Sequence, residues 1–174
     1  MKRLLLTPLL IIALGALGAG PVVAQQIQIH FSGYGYEEDG FDFSYPGDEI
    51  HLMAIVTSVQ YENPDFPYDP VTNEYTVCAT GLMSNGEVVD AYGQSTIIYN
   101  LGMLEIYEDP AKNANYDDCP DVDNPPEVFC DGTLWVGGPF VDFMIGLWRD
   151  YGTGSFEGHI NLEVGSAISY FDNS

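Results

Sequence analysis

Apolar and polar residues alternate with a period of two through much of this chain, and that restricts its fold more than anything else in the sequence. Phe156, Gly158, Ile160, Leu162 and Val164 fall on one side of an extended segment, and Glu157, His159, Asn161 and Glu163 fall on the other. Such alternation describes a strand with one dry and one wet face. Ile27, Ile29 and Phe31 alternate with Gln26, Gln28 and His30, and Leu104 and Ile106 with Glu105 and Tyr107. Ile50 to Val59 is apolar on both faces and reads as a central strand. Tyr75 to Leu82, Val88 to Tyr92, Thr96 to Asn100 and Thr133 to Val136 complete the clear set. Phe140 to Trp148 suits a strand or a short helix. Ser84-Asn85-Gly86-Glu87 carries the Asn-Gly pair that favours a hairpin turn. No stretch keeps a helical period, so the expected fold is all-β: an antiparallel sandwich, jelly-roll-like, or a barrel, of eight to ten strands.

Three connections stand out. Tyr34 to Asp48 is rich in Gly and aromatic residues, Glu62 to Asn73 carries Pro64, Pro67 and Pro70, and Asp109 to Glu127 is long for a compact domain. At the start, Lys2 and Arg3 precede an apolar run from Leu4 to Leu17, and Val22 and Ala24 are small. This is the pattern of a secretory signal over residues 1–24, and the run is short for a membrane span. The expectation is one β domain over residues 25–174, exported to a periplasmic or extracellular, bacterial setting.

Of four Lys+Arg, only Lys112 and Arg149 lie beyond that leader, against 26 Asp+Glu. The processed chain would carry 2 − 26 = −24. Such a surface excludes nucleic acid, whose phosphates need clustered cations, and disfavours anionic membranes. It favours a cation or a basic protein as partner, or a saline medium; a glycan partner is suggested only by the tyrosines of the expected loops.

Asp117, Asp118, Asp121, Asp123, Asn124 and Glu127 crowd one connection. Carboxylates so close repel one another unless a cation sits among them, and calcium takes six to eight such oxygens. These six are the candidate calcium ligands; the alternative is a solvated acidic connection. Three cysteines in an exported chain imply one pair and one left over. Cys119 with Cys130 closes a short loop and is the expected disulfide, with Cys78 a buried thiol; pairings of Cys78 across the sheet are the alternatives. His30, His51 and His159 lie on separate strands, and their spacing does not demand a shared metal. Tyr34, Tyr36, Tyr45, Tyr61, Tyr68 and Tyr116 fall in expected loops, where they either anchor the loops or stack on sugar rings. There is no Gly-x-Ser-x-Gly, His-Glu-x-x-His or phosphate loop, so catalysis is not expected.

Asp117-Asp118-Cys119-Pro120-Asp121-Val122-Asp123-Asn124-Pro125 resembles part of a thrombospondin type 3 repeat, which implies calcium. Leu104 to Asp109 with Asn113 to Tyr116, Phe129 to Leu134, and Gly152 to Gly158 are similar to segments of uncharacterised exported bacterial all-β domains. That resemblance implies export and an all-β fold, and no activity. The function expected from these readings is a non-catalytic exported β domain with a binding or structural role, stabilised by calcium. The alternatives are a glycan-active enzyme or carbohydrate-binding module, and a small outer-membrane barrel.

Overall fold

A computed structural model gives the architecture and describes residues 10–13, 27–37, 43–116, 127–151 and 153–171. The fold is all-β and antiparallel, as the alternation predicts. The described strands are β1 (Leu10–Ala13), β2 (Gln28–Glu37), β3 (Pro46–Gln60), β4 (Glu74–Val89), β5 (Gln94–Asn100), β6 (Met103–Asp109), β7 (Thr133–Trp148) and β8 (Thr153–Ile160); a single helical turn, α1 (Ile168–Phe171), follows. They make one hydrogen-bonded sheet. β1 lies within the expected leader and pairs with Gln28–Phe31 of β2.

The strands are longer than expected, because several predicted pieces join. Phe140 to Trp148 is strand and continues Thr133 to Val136 as β7. Tyr75 to Leu82 and Val88 to Val89 lie within one β4, so Asn85-Gly86 is not a hairpin turn. It forms an irregularity where the β4–β5 register shifts, with Gly86 at φ 96°. The turn lies further on, at Asp90–Gly93. There the Asp90 carboxylate accepts the backbone N–H groups of Tyr92 (2.8 Å) and Gln94 (3.0 Å), satisfying donors the turn leaves without a ladder partner. β2 also extends through Glu37, taking in residues expected to be loop.

β5 and β6 are one interrupted strand. β6 pairs with the first half of β4 and β5 with the second half, and β7 pairs with both on the other side. From β2 to β8 the order is therefore a meander of sequence neighbours, simpler than the interleaved order of a jelly roll. The interruption falls at Leu101-Gly102, both at positive φ (64° and 85°). Across the ladder, β3 shifts register between Ile50 and Leu52, β4 carries Gly81 at φ 72°, and β7 shifts between Phe140 and Asp142. These irregularities line up as a crease. A Cβ on Gly102 would meet Leu82 Cγ at 2.7 Å, so only glycine allows this approach. Glu49 Oε1 accepts the Gly81 N–H (2.8 Å), filling a hydrogen bond that the crease removes from the ladder.

The creased sheet curls around one core. Ile29 and Phe31 (β2), Ile50, Ala54 and Val56 (β3), Tyr75, Val77 and Leu82 (β4), Ile97 and Tyr99 (β5), Leu104 and Ile106 (β6) and Phe143, Ile145 and Leu147 (β7) share it. One end is closed by aromatics from the β3–β4 connection and the C-terminal segment: Phe66 lies edge-on to Trp135, Tyr170 and Phe171, at 5.5–5.8 Å. Trp135 donates its indole N–H to Pro67 O (2.9 Å), which ties that connection to β7.

β3 and β4 are buried on their second face as well. The chain after β6 returns across it, and Phe129, fully buried, packs on Tyr116 (5.2 Å). The Tyr116 hydroxyl donates to Ser32 O and accepts the Ile55 N–H (3.0 Å), bridging β2 and β3. Cys130 is joined to Cys78 of β4. This corrects the expected Cys119–Cys130 pair: Cys78 faces the returning segment and is no free thiol, and Cys119 lies outside the described residues. The double burial explains why Ile50 to Val59 is apolar on both faces. Among the described residues the second half of the sheet has no such cover, and Val88, Ile98, Met144 and Trp148 are exposed there.

Candidate binding site

β2 pairs with β1 only over Gln28–Phe31, and among the described residues no strand pairs with the rest of that edge or with the outer edge of β8. Between β2–β3 and β7–β8 lies a cavity of about 560 Å³. Phe31, Leu52, Phe140, Phe143, Phe156 and Ile160 give it an apolar lining. Their orientation follows from the strand period. Residues 31, 33 and 35 of β2 point inward, and glycines at 33 and 35 leave that wall without side chains. On β8 the half-buried positions are 154, 156, 158 and 160; the alternate residues Ser155, Glu157 and His159 stand on the exposed side and border the cavity.

The end opposite the aromatic plug is polar. Glu37 is 2% exposed, and its Oε1 accepts from Tyr99 Oη (2.9 Å) and Ser44 Oγ, while Oε2 has no partner among the described residues. Ser44 Oγ lies 2.6 Å from Ser84 Oγ. Burial pushes the Glu37 carboxyl above its ordinary pKa, against the opposing hydrogen bonds from Ser44 and Tyr99. Glu87 also has a buried side chain, and Arg149 forks onto it with Nε donating to Oε1 at 2.8 Å. Burial would raise the Glu87 pKa, but the bonds from Arg149 and the Ser44 N–H and the Arg149 charge outweigh it and hold the carboxyl below its usual range. Nothing in the sequence marks Glu37 as buried: it reads as the first of the acidic run Glu37, Glu38, Asp39 and Asp42. Its only signal is its inward register, two residues after Gly35.

His159 Nδ1 lies 2.8 and 3.0 Å from the two oxygens of Asp142, and that hydrogen bond and charge raise the ring's pKa. The ring itself is exposed. The other histidines stand apart from it. His51 lies 3.5 Å from Glu49, and His30, far along the β2–β3 ladder, has a buried Nε2 with no partner among the described residues. Among the described residues no three His, Cys, Asp or Glu come together as a metal site.

Of the expected calcium ligands, Asp117, Asp118, Asp121, Asp123 and Asn124 lie outside the described residues. Glu127 is exposed and opens a 3₁₀ turn, where its carbonyl accepts the Cys130 N–H (2.9 Å). The tyrosines considered as a sugar platform are mostly structural. Tyr68 packs on Tyr75 (4.8 Å), Tyr61 on Phe66 (4.9 Å), and Tyr116 on Phe129. Tyr34 borders the cavity from β2, its ring edge-on to Tyr116 at 4.8 Å. No family model, curated protein or solved structure matches this chain.

Proposed function

We propose that this chain is a non-catalytic exported β domain that takes up a small, mainly apolar ligand between β2 and β8. The cavity carries the reading: its volume falls within the range of small-molecule sites, roughly 300–1,000 Å³, and its walls are apolar with few polar groups at the edge. The two edges, unpaired there among the described residues, supply a way in that breaks no ladder hydrogen bond. The polar end around Glu37 and the aromatic end around Trp135 support a ligand held between them. Titration with a dye that fluoresces in apolar surroundings tests this. One saturable site is expected, weakened by Ala54→Leu, which places extra volume in the cavity. Absence of saturable uptake would overturn it.

A second reading, catalysis, is favoured by one observation. Asp142 orients the His159 ring at the cavity edge, the arrangement by which a carboxylate positions a general base. Screening on ester and glycan substrates separates the readings, since turnover that His159→Ala abolishes would make the domain an enzyme.

A further inference from the structure

Resting on the proposed uptake of an apolar ligand, we infer that the ligand is an amphiphile with a cationic head, its tail in the cavity and its head beside Glu157. The chain has only four Lys and Arg in all, and neither of the two among the described residues, Lys112 and Arg149, borders the cavity. Beyond the first three residues, Lys112 donates to the carbonyls of Pro70 and Val71, in the connection that carries the aromatic plug, and Arg149 is held by Glu87. A carboxylate or phosphate head would therefore meet no Lys or Arg among the described residues.

The groups that do meet it are of the other sign. Glu157 is exposed and borders the cavity, and beside it stands the Asp142–His159 pair. With His159 neutral these three groups carry −2, and with it protonated −1, so the edge stays negative in either state. On the facing strand Tyr34 borders the cavity and brings no charge of its own. The whole-chain excess of acids adds a field of the same sign and concentrates cations near the opening. A tail-only ligand would need none of this, and an anionic one would be opposed by all of it.

Three ligands with the same twelve-carbon tail separate the possibilities: dodecyltrimethylammonium, 1-dodecanol and dodecanoate, each titrated below its aggregation concentration at pH 7.5. The expected order is ammonium, alcohol, carboxylate, with roughly tenfold between the first and last at low salt and a smaller gap at high salt. Glu157→Gln is expected to weaken the ammonium roughly fivefold and leave the alcohol unchanged. Ala54→Leu should weaken all three. One-to-one displacement of a bound apolar dye tests occupancy of the cavity whether or not that variant folds. Dodecanoate binding as tightly as the ammonium, a Glu157→Gln variant that discriminates as before, or ammonium binding that displaces no dye would overturn the inference. Alcohol binding without headgroup preference would sink only this inference, whereas failure of all three to bind would sink the uptake reading itself.

Discussion

Replacing both Cys78 and Cys130 with alanine tests whether the returning segment is fastened to β4. The two residues are 52 apart, and closing a loop of that length restricts the unfolded chain by about 4 kcal/mol in the chain-entropy model. Cys119 and Cys130 are eleven apart, and a bond between them would contribute about 3 kcal/mol. Magnitude alone barely separates the two, but the choice of residue does. Cys78→Ala with Cys130→Ala is expected to lower Tm by about 10 °C in a domain of this size, with a little more from the gap left at a buried sulfur. Cys119→Ala should leave Tm unchanged. Thermal melts under oxidising conditions, with peptide mapping without reductant, make the measurement. Destabilisation by Cys119→Ala equal to that of the double variant, or a cross-linked peptide containing Cys119, would refute the placement of residues 127–131 on β4.

Other perturbations follow from the buried groups. The Glu37 pKa is raised in the folded chain, so the folded state holds this proton more tightly than the unfolded state does. The associated stability is present below the ordinary value of 4.5 and lost as pH rises through the elevated one; Glu37→Gln should flatten that part of a stability-against-pH curve measured by denaturant unfolding. Glu87 is depressed and has the opposite sign, its contribution present above 4.5 and lost as pH falls. Arg149→Met leaves that carboxylate buried without its partner and should cost about 3–5 kcal/mol at pH 7 by the same assay. Tyr116→Phe removes the hydroxyl between Ser32 O and Ile55 N and should cost about 1–3 kcal/mol, with faster amide exchange at Ile55. If the acidic run binds calcium, the ion should raise Tm beyond magnesium at equal ionic strength, and Asp121→Asn with Asp123→Asn should remove the difference.

Strand periodicity was legible because it reports which face of each segment is dry. It located β3 as a central strand and placed Phe156 and Ile160 on the inner side of β8. Asn85-Gly86 misled because a glycine at positive φ serves a bulge as well as a turn, and only the register of β4 against β5 distinguishes them. The true turn depends on Asp90, whose side-chain bonds to Tyr92 and Gln94 leave a weaker trace in the sequence. The disulfide was missed because closeness along the chain favoured Cys119, whereas Cys130 meets Cys78 only after the segment has folded back. The cavity was illegible for the same reason: Gly33 and Gly35 face Phe140 and Phe156 across a gap that exists only once the meander has curled.

The crease has a consequence for what lengths of chain this fold accepts. Its irregularities sit at one level on β3, β4, the β5–β6 junction and β7, so each strand is keyed to its neighbours by an offset residue. Gaining or losing one residue between the crease and a strand end would turn the inward set outward on that side, and no sliding of the adjacent strand could restore both halves at once. Natural variation in length should therefore collect in the connections after β3 and after β6, while the strands keep their residue count.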